Sequence, residues 1–244
     1  GGLTEGLKKA GFEVIGAVEI DTNAVETYRS NHPEVLVWQD DIRSIDTGDF
    51  MNKLSLSPGE LSLLAGCPPC QGFSSLRTKN GNKYISDPRN FLIREYLRFV
   101  EALLPRAIMM ENVPGIGKES VCLEFTETLH RLGYVGMPRI LNAEDYGVPQ
   151  RRKRFIFMAG RGFPIFYAQS SSIKRTVRDA IGHLRKAGTS GDPMHDRLSH
   201  HSNRILDIIR KIPHDGGSRC DLPEKMKLDC HKKCDGFKDV YGRM

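Results

Sequence analysis

Two cysteines at C-x-x-C spacing, Cys67 and Cys70, stand in the stretch "LSLLAGCPPCQGFSSLR". That spacing suits a redox dithiol, half of a zinc site, or one nucleophile with a bystander thiol. A redox dithiol needs a helix starting at the cysteines to lower a thiol pKa, yet Gln71-Gly72-Phe73-Ser74-Ser75 reads as loop. A zinc site needs two further ligands. Cys230, His231 and Cys234 in "CHKKC" offer them, but far along the chain and without the usual paired spacing. Read alone, that segment is a loop with incidental thiols. A single nucleophile needs a thiolate in a positive setting and an acid or base for the substrate. Glu111, in "ENVPG", is a candidate acid, and a helix-capping or ion-paired carboxylate is the plainer reading of the same residue. "QRRKRFIF" adds Arg151, Arg152, Lys153 and Arg154. Alternation along an extended strand places Gln150, Arg152 and Arg154 on one face, either a working basic face or an exposed basic strand.

The elements that must position these groups follow from hydrophobic spacing. Leu3, Leu7 and Ala10 mark one face of a short helix stopped by Gly11. "EVIGAVEID" reads as a buried strand ending in Glu19. "TNAVETYRSNHP" reads as a helix capped by Thr22 or Asn23 and ended by Pro33. "VLVWQDDI" is a second strand, ending in Asp40 and Asp41, and "LSLLAG" a third, running into the cysteines. The polar stretch from Gln71 to about Asn90 is a long loop, of the kind that serves as a functional lid. Leu92, Tyr96, Phe99, Val100 and Leu103 have helical spacing, and "RAIMMENVPGI" is a strand with Glu111 at its carboxyl end. Cys122, Phe125, Leu129 and Leu132 line a further helix face, which makes Cys122 a core residue.

Strands alternating with helices predict a doubly wound α/β sheet, in which ligands bind at the carboxyl ends of the strands. Glu19, Asp41, Cys67, Cys70 and Glu111 all fall at such ends. The glycine-rich start, a helix, and an acid ending the next strand form half of a nucleotide-binding arrangement, with Glu19 placed for ribose hydroxyls and Asp41 for an adenine amino group. Acids that merely cap the following helices read equally well.

The chain has 244 residues, enough for one large domain or a domain with a smaller companion. Residues 1–149 carry 15 Lys and Arg against 20 Asp and Glu, whereas residues 150–244 carry 21 against 10. A basic second part points to a polyanion partner. From about Phe163 the pattern loosens into Pro, Gly, His and basic residues. A division at 1–162 and 163–244 is therefore expected. Six cysteines are too few for a disulfide framework. No apolar run approaches spanning length and no signal-peptide pattern opens the chain, so a cytoplasmic location without a membrane partner is expected.

"GCPPCQGFSS", "MENVPGI" and "NAEDYGVPQRRKRFIF", in that order and spacing, resemble the cytosine-5 DNA methyltransferases. "VEIDTNAVETYRSNHP" and "DDI" fit the cofactor motifs of the same family, and the resemblance covers most of residues 1–160. The tail from Ile212 is similar to the target-recognition region of bacterial members, the modification enzymes of restriction-modification systems. The resemblance implies a Rossmann-like S-adenosylmethionine-dependent methyltransferase sheet with a smaller, loop-rich target-recognition region. It implies that Cys70 is the nucleophile, that Glu111 contacts the cytosine ring, and that Arg152 and Arg154 lie near the base and its phosphate. It places S-adenosyl-L-methionine against Gly1, Gly2, Glu19, Ile20, Asp41, Ile42, Pro69 and Leu92. It places double-stranded DNA against Gln71, Ser74, Arg152 and Arg154. No metal is implied, and a monomer is expected.

The chemistry agrees with that transfer. Carbon 5 of cytosine is a poor nucleophile, and thiolate addition at carbon 6 makes the ring an enamine that attacks the sulfonium methyl. The base must leave the duplex to be reached. Cys67 matches no catalytic position and is expected to be replaceable. The chain opens on "GGLTEGL" without an initiator Met. It also lacks the family's first strand and later segments, so a fragment with weak cofactor binding is expected. Two readings of the same fold stand beside this one, a transfer-RNA cytosine-5 methyltransferase and a catalytically silent DNA-binding relative. A thiol oxidoreductase is the rival from another class.

Overall fold

A computed structural model describes residues 1–69, 92–118, 120–214 and 217–229. The chain divides into two compact units, Gly1–Lys174 and Arg175–Met244.

The first unit opens with α1 (Gly2–Lys9), followed by β1 (Gly16–Glu19), α2 (Thr22–Asn31), β2 (Leu36–Gln39) and α3 (Thr47–Lys53). β1 and β2 pair in parallel, Gly16 opposite Leu36 and Glu19 opposite Gln39. The helix between them is capped by Asp21, whose carboxylate accepts from the Ala24 amide at 2.8 Å, and not by Thr22 or Asn23. Asp21 sits one residue earlier, in extended backbone, where its oxygen can reach back to a free amide of the first turn. α3, which the sequence pattern did not suggest, is only seven residues long and is capped in the same way by Asp46. Phe50 is its one buried anchor.

β3 (Leu63–Gly66), α4 (Leu92–Leu103), β4 (Ala107–Asn112), α5 (Ser120–Arg131), β5 (Tyr134–Asn142) and β6 (Lys153–Arg161) complete the unit. Their sheet runs β3-β4-β6-β5. β3 and β4 are parallel, while β6 runs antiparallel to both its neighbours. The sheet is therefore mixed, with the parallel strands on the side of the predicted site. Ile93, Tyr96 and Val100 of α4 and Phe125 and Leu129 of α5 share one core with Ile108, Met110, Phe155 and Phe157. A second cluster joins Phe50, Phe99 and Leu103 with Val18 and Trp38, fixing the β1–β2 pair against α4.

Tyr96 ties the parallel strands together. Its hydroxyl meets the carbonyls of Leu64 and Met109 at 2.9 and 3.1 Å. Its ring fills the space beside Gly66, where an added Cβ would stand 2.6 Å from it. Glycine is required there because the strand and the ring approach too closely for any side chain.

β1 and β3 belong to different sheets, yet both line one cleft of about 750 Å³ that also takes in Gly1, Leu3, Leu7 and Leu61. Among the described residues β1 pairs only with β2, and β3 only with β4. Gly1 lies at the lip of this cleft, over the buried ring of His32.

Residues 163–174 stay with the sheet. Tyr167 donates its hydroxyl toward the carbonyls of Met137 and Ile156 at 2.7 and 2.8 Å. Among its described residues the second unit holds two short α-helices, α6 (Val177–Ile181), closed by a Thr176–Asp179 capping box, and α7 (Asn203–Lys211), capped by Ser202. Between them a loop winds around Asp196, which accepts from the amides of Gly188, Ser190 and Gly191. Those donors, the Ser190 contacts foremost, hold the Asp196 carboxyl down at about 2. Among the described residues no helix is long and apolar enough to cross a membrane.

Candidate active site

One cavity of about 620 Å³ opens at the carboxyl ends of β1, β2 and β3. Glu19, Ile20, Asp41, Ile42, Pro69 and Leu92 all line it. They come from four separate places in the chain. Glu19 ends β1 and Asp41 follows β2, while Pro69 follows β3 and Leu92 begins α4. Gly16, Phe50, Leu64, Tyr96 and Phe99 complete an apolar wall. The size is that of a cofactor site, for which about 300–1,000 Å³ is usual. Apolar faces with a few placed acids suit a purine and its ribose.

The acids differ in what holds them. The Glu19 carboxylate accepts from the amides of Ile20 and Asp21 at 2.9 and 3.0 Å, which fixes its direction at the strand end. Asp41 is engaged by its neighbour. Its Oδ1 accepts from the Arg43 amide and from Arg43 Nε, both at 3.0 Å, and Oδ2 accepts from the same guanidinium. The Arg43 contact holds the Asp41 carboxyl well below the usual range, at about 2. Arg98 of α4 donates to the carbonyls of Ile42 and Ile45 at 2.7 and 2.9 Å, so the loop carrying Asp41 is fixed to the helix that begins at Leu92. Gly1 and Gly2 are not brought to this wall. Gly1 lines the neighbouring cleft, and Gly2 begins α1.

Beside the cavity lies a second group. Glu111 stands near the carboxyl end of β4, and its Oε1 is 2.7 Å from Arg154 Nε on β6. Both side chains are about one quarter exposed. Asn112, buried, donates to the Pro68 carbonyl at 3.0 Å and accepts from the Val113 amide. This hydrogen bond clamps the turn after β3 to the end of β4. Cys67 is in that turn. Burial, with the Glu111 carboxylate alongside, pushes its thiol up to about 11.

The basic stretch is only partly as expected. β6 begins at Lys153, so Gln150 and Arg152 do not share a strand face with Arg154. Gly147, at φ +79°, ends a short turn, and the amide of Gln150 donates to the Val148 carbonyl, which curls the chain before the strand starts. Arg154 reaches Glu111, while Arg152 is exposed ahead of the strand. Cys70, Gln71, Ser74 and the loop to Asn90 lie outside the described residues, as do Cys230, His231 and Cys234. Reading the sequence alone missed Arg43, Arg98 and the Cys67–Glu111 contact. Only the Asp-x-Arg spacing of Asp41 and Arg43 carried a local signal.

Parallel strands with acids at their carboxyl ends, gathered around one apolar cavity beside a carboxylate–arginine pair, define a Rossmann-like α/β protein. The chain belongs to the C-5 cytosine-specific DNA methylase family, whose model matches residues 1–241. It is 35% identical over 236 residues to the Type II methyltransferase M1.HphI of Haemophilus parahaemolyticus, covering 93% of this chain and 62% of that protein. It is 33% identical over 258 residues to the Type II methylase M.HgiDII of Herpetosiphon aurantiacus, covering 100% of this chain and 70% of that protein. A solved putative DNA modification methyltransferase encoded within an E. coli prophage superposes with a TM-score of 0.63 at 27% identity, over 87% of this chain and 62% of that one. S. pombe Dnmt2 methyltransferase shares the fold, with a TM-score of 0.53 at 22% identity over 84% of this chain and 58% of that one. The chain thus spans roughly six to seven tenths of these proteins' lengths.

Proposed function

We propose that this chain carries the catalytic part of a DNA cytosine-5 methyltransferase of the restriction-modification type, with Gly1–Lys174 as the catalytic unit and the basic remainder contributing to target recognition. One observation carries the reading. Glu19, Ile20, Asp41, Ile42, Pro69 and Leu92, scattered over the first 92 positions, meet in a single cavity whose wall includes Pro69, the residue before Cys70.

Bound there, S-adenosylmethionine supplies an electrophilic methyl group. Glu19 would hold its ribose hydroxyls and Asp41 its adenine amino group, with Ile20, Ile42 and Leu92 around the purine. Cys70 adds as thiolate to carbon 6 of the flipped cytosine, forming a carbon–sulfur bond and moving electron density toward carbon 5 and ring N3. Glu111 sits where it can share a proton with N3 and stabilise that charge. Arg154 holds Glu111 by the ion pair and supplies positive charge near the base. The methyl would leave the sulfonium as a neutral thioether is released, and loss of the carbon 5 proton to water then breaks the carbon–sulfur bond, frees the Cys70 thiolate and restores the aromatic ring. Arg152, Gln71 and Ser74 contact the DNA. The basic residues of 150–244 neutralise phosphates.

The test is covalent trapping. The intact protein is incubated with S-adenosylmethionine and DNA carrying 5-fluorocytosine at candidate sites. Adduct through Cys70, lost in Cys70→Ser and retained in Cys67→Ser, is the expected result. Intact DNA binding with no adduct on any sequence would sink the reading.

A further inference from the structure

Cys67 has no role in the scheme above, yet its position is unlike that of a bystander. In the parallel register Gly66, the last residue of β3, faces Met110, and Cys67 leaves the strand just as β4 reaches Glu111. The Cβ direction of Gly66 points at Tyr96, and Met110 is fully buried in the same core. Alternation within β4 therefore turns Glu111 away from that core, and Cys67, in the turn that the Asn112–Pro68 hydrogen bond holds to the end of β4, has the Glu111 carboxylate beside its thiol. Arg154 reaches the acid as well. Ile156 is the partner of Glu111 across β4 and β6, and Arg154 lies two residues back along β6, with Nε 2.7 Å from Oε1 of the acid. Cys67 also forms part of the cavity wall with Gly66, Pro68 and Pro69. It is the residue common to the cavity and the acid.

A carboxylate held by one ion pair can still turn about its last torsion. A second donor, arriving from the other side, removes that freedom. An uncharged donor does so without taking over the acid's electrostatics. A thiol that stays protonated is such a donor, and the raised Cys67 thiol, at about 11, meets that condition at any working pH.

We propose that Cys67 is a positioning residue that donates its S–H to the Glu111 carboxylate, opposite Arg154, and so fixes the acid relative to the cofactor wall. This rests on the methyltransferase reading. It does not make Cys67 a nucleophile, and it predicts that serine is acceptable there while an apolar residue is not.

The experiment compares Cys67→Ser and Cys67→Ala with wild type in the intact protein, by steady-state methyl transfer with KM for DNA and for S-adenosylmethionine. The serine variant is expected within about twofold of wild-type kcat, because its hydroxyl donates in the same place. The alanine variant is expected to lose about five- to tenfold in kcat, the loss of one hydrogen bond from a weak S–H donor. Its two KM values are expected to stay within about twofold. Melting temperatures of all three show whether folding has changed. Alanine matching wild type, serine failing as alanine does, or an effect confined to the cofactor KM would each overturn the proposal. Trapping on 5-fluorocytosine DNA separates the two levels. Wild type that forms no adduct removes the methyltransferase reading itself. Adduct formation with three equal kcat values removes only the role of Cys67.

Discussion

At the scale of single residues, the site is governed by which neighbour each ionisable group has. Asp41 is bound on both oxygens by Arg43, and its carboxyl stays ionised to about pH 2. A group depressed in this way contributes stability above its unfolded value near 3.8, and that contribution is lost as pH falls toward 2. Cofactor binding should accordingly show no Asp41 titration between pH 5 and 9. Arg43 also occupies the acceptors that an adenine amino group needs. Exposed pairs of this kind are worth about 0.2–1 kcal/mol. Arg43→Ala should therefore tighten S-adenosylmethionine binding by up to about fivefold, measured by equilibrium dialysis on the intact protein. Cys67 has residual surface exposure, but the apolar surroundings of its sulfur and the Glu111 carboxylate beside it keep it a thiol well above neutral pH. Its alkylation by iodoacetamide at pH 8, followed by mass spectrometry, should run about two orders of magnitude slower than that of a free cysteine, whose pKa is near 8.5. The sequence was legible here where function is local. Glu19 and Asp41 announced themselves as acids at the ends of apolar runs. The Cys67–Glu111 contact was not legible, because residues 44 apart become neighbours only when the turn after β3 is held to the end of β4.

At the scale of elements, the β3–α4–β4 unit does the positioning. Tyr96 occupies the space that any side chain at position 66 would claim. Gly66→Ala should destabilise the fold by about 1–3 kcal/mol, the usual cost of overpacking. It should also displace the turn that leads to Cys70, lowering methyl transfer more than cofactor binding. Urea unfolding and activity on the same sample check both. The strands and helices with unbroken apolar spacing, from β1 to β4 and α4 to α5, were foreseen within a few residues. β5 was not, because Gly136 and Pro138 interrupt its β pattern. As the last strand of its sheet, pairing only with β6 among the described residues, β5 tolerates a proline that an inner strand would reject. The shared face of Gln150, Arg152 and Arg154 failed for the converse reason. Alternation holds only inside a strand, and Gly147 and Pro149 delay the start of β6 to Lys153.

At the scale of the whole molecule, charge was the most readable property and topology the least. The excess of basic residues beyond position 149 needs no structure to be seen. Its consequence is that DNA affinity of the intact protein should fall steeply with salt, by about a factor of 10³ or more between 50 and 200 mM if six or more phosphates are neutralised. Fluorescence anisotropy over a salt series measures the slope. Sheet order could not be read, since nothing local says that β6 inserts between β4 and β5. The same holds for the cleft between β1 and β3. Two rows of backbone amides and carbonyls border an apolar trough there, with no strand of the described chain between them. Such borders recruit any extended peptide that reaches them, including another copy's.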